Sequence, residues 1–144
     1  MRAGDQETLV DAAWLHDVGY APSLKGTGFH PLDGARYLAA ERFPDRLVRL
    51  VAHHTGAMYE AEERGLSAEL AQYEREDGPL LDALTCADLT TGPAGEAYTF
   101  DERIDEILTR YGPDSPVHRA ITRARPYLAG CVERTMARLD SQPT

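Results

Sequence analysis

At 144 residues the chain is long enough to bury one core of ordinary size and reads as a single domain over residues 1–144. Its 24 Asp and Glu against 15 Lys and Arg give a net charge of −9, which excludes a general nucleic-acid or membrane-surface binder, since either needs a basic face to neutralise phosphates. Cys86 and Cys131 stand far apart and form no CxxC, so neither a zinc ribbon nor a disulfide scaffold is indicated. With no apolar run of transmembrane length and no signal peptide, the expected setting is a reduced cytoplasm.

In chain order, Asp5 is placed to cap a first helix running to about His16, which Gly19 ends. The run YAPSLKGTGFH, from Tyr20 to His30, is rich in Gly, Pro, Ser and Thr and predicts a loop. With Gly26 and Gly28 as hinges it reads equally as an active-site loop or a plain connector. Pro31 suits the first turn of PLDGARYLAAERF, and Pro44 opens PDRLVRLVAHH, which closes at Gly56. A charged stretch follows, then a third Pro-led segment, PLLDALTCADLTT. Thr99 and Glu102 have the spacing of a capping box for TFDERIDEILTRY, ended by Gly112. The last helix begins near Pro116, is expected to bend or break at Pro126, and fades into the polar tail DSQPT. No alternating strand pattern or repeat occurs, so the expected fold is all-α.

Polar residues recur where apolar faces should continue. His16 and Asp17 follow Leu9, Val10 and Ala13 at helical spacing; His54 follows Leu47 and Leu50, with His53 beside it; Asp88 follows Leu81 and Leu84. A single histidine on an apolar face is usually a hydrogen-bonded core residue, and a lone inward Asp a cap or an ion-pair member. Here four of the five histidines, His16, His30, His53 and His54, lie in the first 54 residues at element boundaries, with Asp17 and Asp88 on inward faces. One metal site explains all six together, and donors without cysteine suit iron, manganese, zinc or magnesium. His118, next to Arg119, reads as a surface residue outside this set.

The ordered blocks HDVG, HPLDGARYL, VAHHTG and LLDALTCADLTTGP resemble the HD superfamily of metal-dependent phosphohydrolases. The resemblance covers about residues 9–96 and leaves the C-terminal helices, about 99–139, outside it. The later blocks look most like HD-GYP phosphodiesterases and HD-type diadenosine tetraphosphate hydrolases. The resemblance implies a compact all-α HD-domain bundle binding one or two divalent ions (Fe, Mn, Zn or Mg), which hydrolyses a small phosphate ester or nucleotide with metal-activated water. Carried over by motif, Asp17 bridges the ions, His16 and Asp88 bind the first, and His30, His53 and His54 serve the second. Which of His53 and His54 is essential is left open, as is a homodimer.

Two departures qualify the resemblance. Family members carry a further ligand histidine on a helix ahead of the doublet, and none precedes His16 here, which implies either a truncated chain or a degenerate, impaired member. Tyr20 stands where many relatives have a phosphate-contacting lysine, for which Lys25 is the candidate substitute. Two alternatives accompany the phosphohydrolase expectation: a non-catalytic binding or regulatory module, and a di-iron oxygenase on the same fold.

Overall fold

A computed structural model describes residues 3–141. Among them the fold is all-α, with one isolated β-type pairing, Thr91 to Ala97. The helices are α1 (Asp5–Leu15), α2 (His30–Ala40), α3 (Asp45–His53), α4 (Ala57–Arg64), α5 (Ser67–Leu70), α6 (Pro79–Leu89), α7 (Phe100–Arg110) and α8 (Pro116–Asp140). No helix among the described residues is long and apolar enough to cross a membrane.

The helix α6 is the hub. Leu80, Leu81, Leu84, Cys86 and Leu89 are buried on nearly every side of it, as expected for a helix packed by several neighbours. It touches α1, α3, α7 and α8. Each fully buried leucine contributes on the order of 2 kcal/mol. One apolar cluster gathers Phe29, Leu32, Leu38, Leu50, Val51 and Leu84, and a second joins Leu89 to Ile104, Ile107, Ile121 and Leu128. The end of α1 meets that of α6, and the residue after α3 reaches the same point, with His16, His54 and Asp88 brought together there.

Several boundaries follow the sequence signals. Pro31, Pro79 and Pro116 lie in first turns, and Thr99 and Glu102 form the reciprocal capping box. Three expectations are corrected. Asp5 is not the cap of α1 but a first-turn residue paired with Arg46 Nη1 at 2.6 Å, which ties α1 to α3. The helix opened by Pro44 ends at His53, not Gly56, and the charged stretch contains α4 and α5. Of the bend or break expected at Pro126, the break does not occur, since α8 is one helix through that residue. Proline removes one ladder bond there, but α8 is held by packing against α4 and α6.

A buried carboxylate secures α8 to the hub. Asp82 accepts from Arg134 Nε and Nη2, both at 2.9 Å, and from Arg138 Nη1 at 2.8 Å. Burial opposes the charge of Asp82, but the two guanidinium groups hold its pKa below the usual carboxylate value. A carboxyl that binds its proton more weakly folded than unfolded contributes stability above the unfolded pKa of about 3.9 and loses it as pH falls through the folded value. Asp82→Asn is therefore expected to destabilise the protein by about 1–3 kcal/mol at pH 7 in denaturant unfolding. The gap to the parent chain should start to narrow near about pH 4 and close only at lower pH, once the carboxyl of the folded parent is itself protonated.

Candidate metal centre

The chain reverses sharply after α1. His16 caps the helix, Asp17 has left helical geometry, and Val18–Tyr20 form a 3-10 turn. That turn presses on the start of α2: a Cβ built on Gly19 would lie 2.1 Å from the His30 carbonyl oxygen and 2.7 Å from the Gly34 nitrogen. No side chain fits, so glycine here is a requirement of close approach. It sets His16 and Asp17 beside His30, the first residue of α2.

The third contribution comes from the α3–α4 junction. The helix ends at His53, His54 is extended at φ −64° and ψ 147°, and Thr55 lies in the left-handed region at φ 54°, followed by Gly56 at φ 63°. For a β-branched residue such as Thr55 this conformation costs about 1–3 kcal/mol. It is fixed by two bonds to α6: Thr55 N–H donates to Thr85 Oγ1 at 3.1 Å and Thr55 Oγ1 to Asp88 Oδ2 at 2.6 Å. The α3–α4 junction is thereby pinned to Asp88, with His54 one residue away.

Five of the six expected ligands converge. His16 Nε2 lies 3.2 Å from Asp17 Oδ2 and 3.5 Å from Asp88 Oδ1. His30 Nε2 lies 3.3 Å from Asp17 Oδ1 and 3.2 Å from His54 Nε2. Two groups of three, His16–His54–Asp88 and Asp17–His30–His54, have donor atoms all within 4.8 Å of one another, a spacing that could hold an ion. Two donors bonded to one cation at about 2.0–2.2 Å stand about 3–3.5 Å apart, the range of the shortest separations seen here. Nδ1 of His54 contacts the Val51 carbonyl at 2.6 Å and Nδ1 of His16 that of Ala13 at 2.8 Å. A carbonyl only accepts, so Nδ1 carries the proton in each ring and Nε2 is left as the donor atom facing the cluster. His16 Nε2 is also buried without a well-formed hydrogen bond.

The electrostatics favour a cation. Burial works against charge on His16, yet the adjacent carboxylates of Asp17 and Asp88 outweigh it and push its pKa up to about 10. Packing likewise opposes charge on Asp17 and Asp88, but the neighbouring histidines keep both below the usual carboxylate range. His54, only 2% exposed, is pushed down to about 4 by burial and by His30 and so stays neutral, the form that ligates.

The structure does not bring His53 or Lys25 to the cluster. His53 points the other way, its Nε2 2.5 Å from the Tyr73 carbonyl, because it is the last residue of α3 and the extended backbone at His54 turns only the next side chain towards the cluster. Lys25 is exposed and does not line the cavity onto which the cluster opens. Its loop is no free hinge: the buried Asp33 carboxylate accepts from the backbone N–H groups of Gly26, Thr27 and Gly28 at 2.9–3.1 Å. His118 stays outside the cluster, its Nδ1 3.0 Å from the Tyr111 carbonyl.

The cavity beside the cluster measures about 360 Å³ and is lined by Asp17, His30, His54 and Asp88 together with residues of α4, α7 and α8. The sequence reading missed three contributors. Tyr20 stacks on the His30 ring at 3.9 Å, and Arg103 and Arg110 line the cavity from α7. Arg103 Nε donates to the Asp88 carbonyl at 3.3 Å, while Nη2 lies 3.9 Å from Asp88 Oδ1. The available signal was the spacing Arg103, Ile107, Arg110, one face of a helix bearing two cations and an apolar residue. No family model, curated protein or solved structure matches this chain.

Two substitutions test this geometry. Gly19→Ala should cost about 3 kcal/mol or more in thermal or denaturant melts, because the added carbon meets backbone rather than a movable side chain. In manganese or zinc titrations followed by calorimetry, His54→Ala should lose at least tenfold in affinity, whereas His53→Ala should bind as the parent does.

Proposed function

We propose that the protein is a metal-dependent phosphohydrolase acting on a small phosphate ester. The observation that carries this reading is the donor set itself, two imidazole–carboxylate groups at ligand spacing on the floor of a cavity large enough for a small organic molecule. The order of these residues along the chain supports it, since it resembles the HD superfamily.

An imidazole nitrogen has one lone pair, so His54 Nε2 serves one ion at a time. With His54 Nε2 3.2 Å from His30 and His30 3.3 Å from Asp17, these three residues would hold one ion. His16 and Asp88 would hold a second ion, and Asp17, whose carboxylate lies 3.2 Å from His16 and 3.3 Å from His30, would serve both. Bound divalent ions would lower the pKa of attacking water towards about 7 and neutralise the charge of a phosphoryl group. The chain's own residues do the rest. His30 is oriented by its stack with Tyr20, Asp88 is oriented by Thr55 and Arg103, and α7 and α8 screen one side of the site from solvent.

The decisive measurement is hydrolysis of p-nitrophenyl phosphate by the 144-residue chain reconstituted in turn with manganese, iron, zinc and magnesium. Asp17→Ala should lower kcat/KM by at least a thousandfold, because it removes the shared ligand, with folding checked separately by circular dichroism. His118→Ala should leave the rate within twofold of the parent. Absence of hydrolysis with every metal, across monoesters, diesters and dinucleotides, would reject the reading.

A further inference from the structure

We infer that the substrate is a phosphomonoester with a small apolar body, and that α7 and α8 select it over sugar phosphates and nucleotides. This rests on the phosphohydrolase reading and narrows it.

The cavity lining is chemically mixed. It carries the imidazole and carboxylate cluster. It also carries five apolar side chains, Ile107 of α7 and Val117, Ala120, Ile121 and Ala124 of α8. None of these five side chains has an N–H or O–H group, and the helical backbone beneath them is engaged in its own ladder. A sugar hydroxyl or a base edge packed against these five finds no partner among them, and each buried unpaired polar group costs about 1–3 kcal/mol. A hydrocarbon body meets no such penalty and gains from leaving water. The volume of about 360 Å³ lies near the lower end of ligand pockets, which suits a single ring or a short branched chain beside a phosphate.

The phosphate end is marked by cations that the metal ligands do not provide. Arg103 and Arg110 stand two turns apart on the face of α7 that carries Ile107, and both line the cavity. They share one carboxylate: Arg103 Nη1 and Arg110 Nε both pair with Glu106, which leaves the three residues one net positive charge. Glu60, the remaining carboxylate on the wall, is answered by Arg64 Nε at 2.6 Å. Arg103 is buried next to Asp88, whereas the Arg110 side chain is 44% exposed and would have to exchange its pairing with Glu106 for an entering anion. The Arg110 guanidinium already lies over the Tyr111 ring at 5.2 Å, and Tyr111 and Tyr20 add aromatic surface to the same cavity.

The test compares benzyl phosphate with glycerol phosphate and adenosine monophosphate, all alkyl esters, so that leaving-group chemistry is nearly matched. With the metal-loaded 144-residue protein, kcat/KM should be at least tenfold higher for the benzyl ester. A binding readout without turnover accompanies it: benzylphosphonate should bind at least tenfold more tightly than methylphosphonate by calorimetry. Val117→Thr, which keeps the branched shape and volume of the side chain while adding a hydroxyl, should shrink that ratio at least threefold. Arg110→Met, at an exposed position that should not disturb folding, should weaken both phosphonates by a similar factor of about ten. If every ester resists hydrolysis while the phosphonate preference holds, the phosphohydrolase reading fails and the apolar pocket stands as a binding site. If hydrolysis proceeds but glycerol phosphate or adenosine monophosphate equals the benzyl ester, the inference is overturned and the phosphohydrolase reading survives. Equal binding of the two phosphonates, or binding of neither, also overturns it.

Discussion

The contact of Gly19 with the first turn of α2 is the constraint from which the site follows. A backbone packed directly on backbone leaves no room for adjustment, so the positions of His16, Asp17 and His30 are set together. Gly34 extends the same close approach, its α-carbon hydrogen facing Val18 and Val51 where a larger group would push α2 from the 3-10 turn and from α3. Three elements thus lock around two glycines, and the donors they carry are held by packing rather than by their own long side chains. That is the condition a ligand set needs, because a loosely held donor must be ordered when the ion binds.

The second support is polar and comes from the opposite side. Thr55 sits in a conformation that β-branched residues avoid, and its two bonds to Thr85 and Asp88 are what hold it there. The same strained turn rotates His54 into the cluster while His53 remains on the helix facing Tyr73. Arg103 completes the frame by anchoring the end of α6 through the Asp88 carbonyl. Strain at one residue, offset by hydrogen bonds to the helix that supplies another ligand, couples the α3–α4 junction to α6 so that neither donor moves alone.

Helix starts were the most legible feature of the sequence because proline at a first turn and the Thr99–Glu102 capping box act locally, through a few adjacent residues. His16, Asp17, His30 and Asp88 were legible for a related reason, since each sits at a helix end, where periodicity or a boundary signal fixes its side. His54 was harder. Extrapolating α3 one residue too far puts His53 and His54 on neighbouring parts of one face, and only the extended backbone at His54 separates them. Asp5 misled because a capping residue and a buried ion-pair partner look alike until Arg46, far along the chain, is seen beside it. Arg103 and Arg110 lie beyond the motif-bearing region, and their role depends on α7 folding back over the cavity, a long-range fact that no local pattern contains.

Net charge enters at a different length scale from the site. An acidic surface attracts cations and repels anions, but solvent-exposed charges are screened beyond about 8 Å at physiological ionic strength, so the overall −9 says little about what reaches the cavity floor. Within that distance the balance differs. Burial works against charge on His16, but its Nε2 lies 3.2 Å from Asp17 Oδ2 and 3.5 Å from Asp88 Oδ1, so two carboxylates face this point. In the proposed reading a divalent ion occupies it, and the charges facing the cavity become the ions together with Arg103 and Arg110. An acidic protein can then bind an anion, because the field that matters is made by four or five groups inside one screening length.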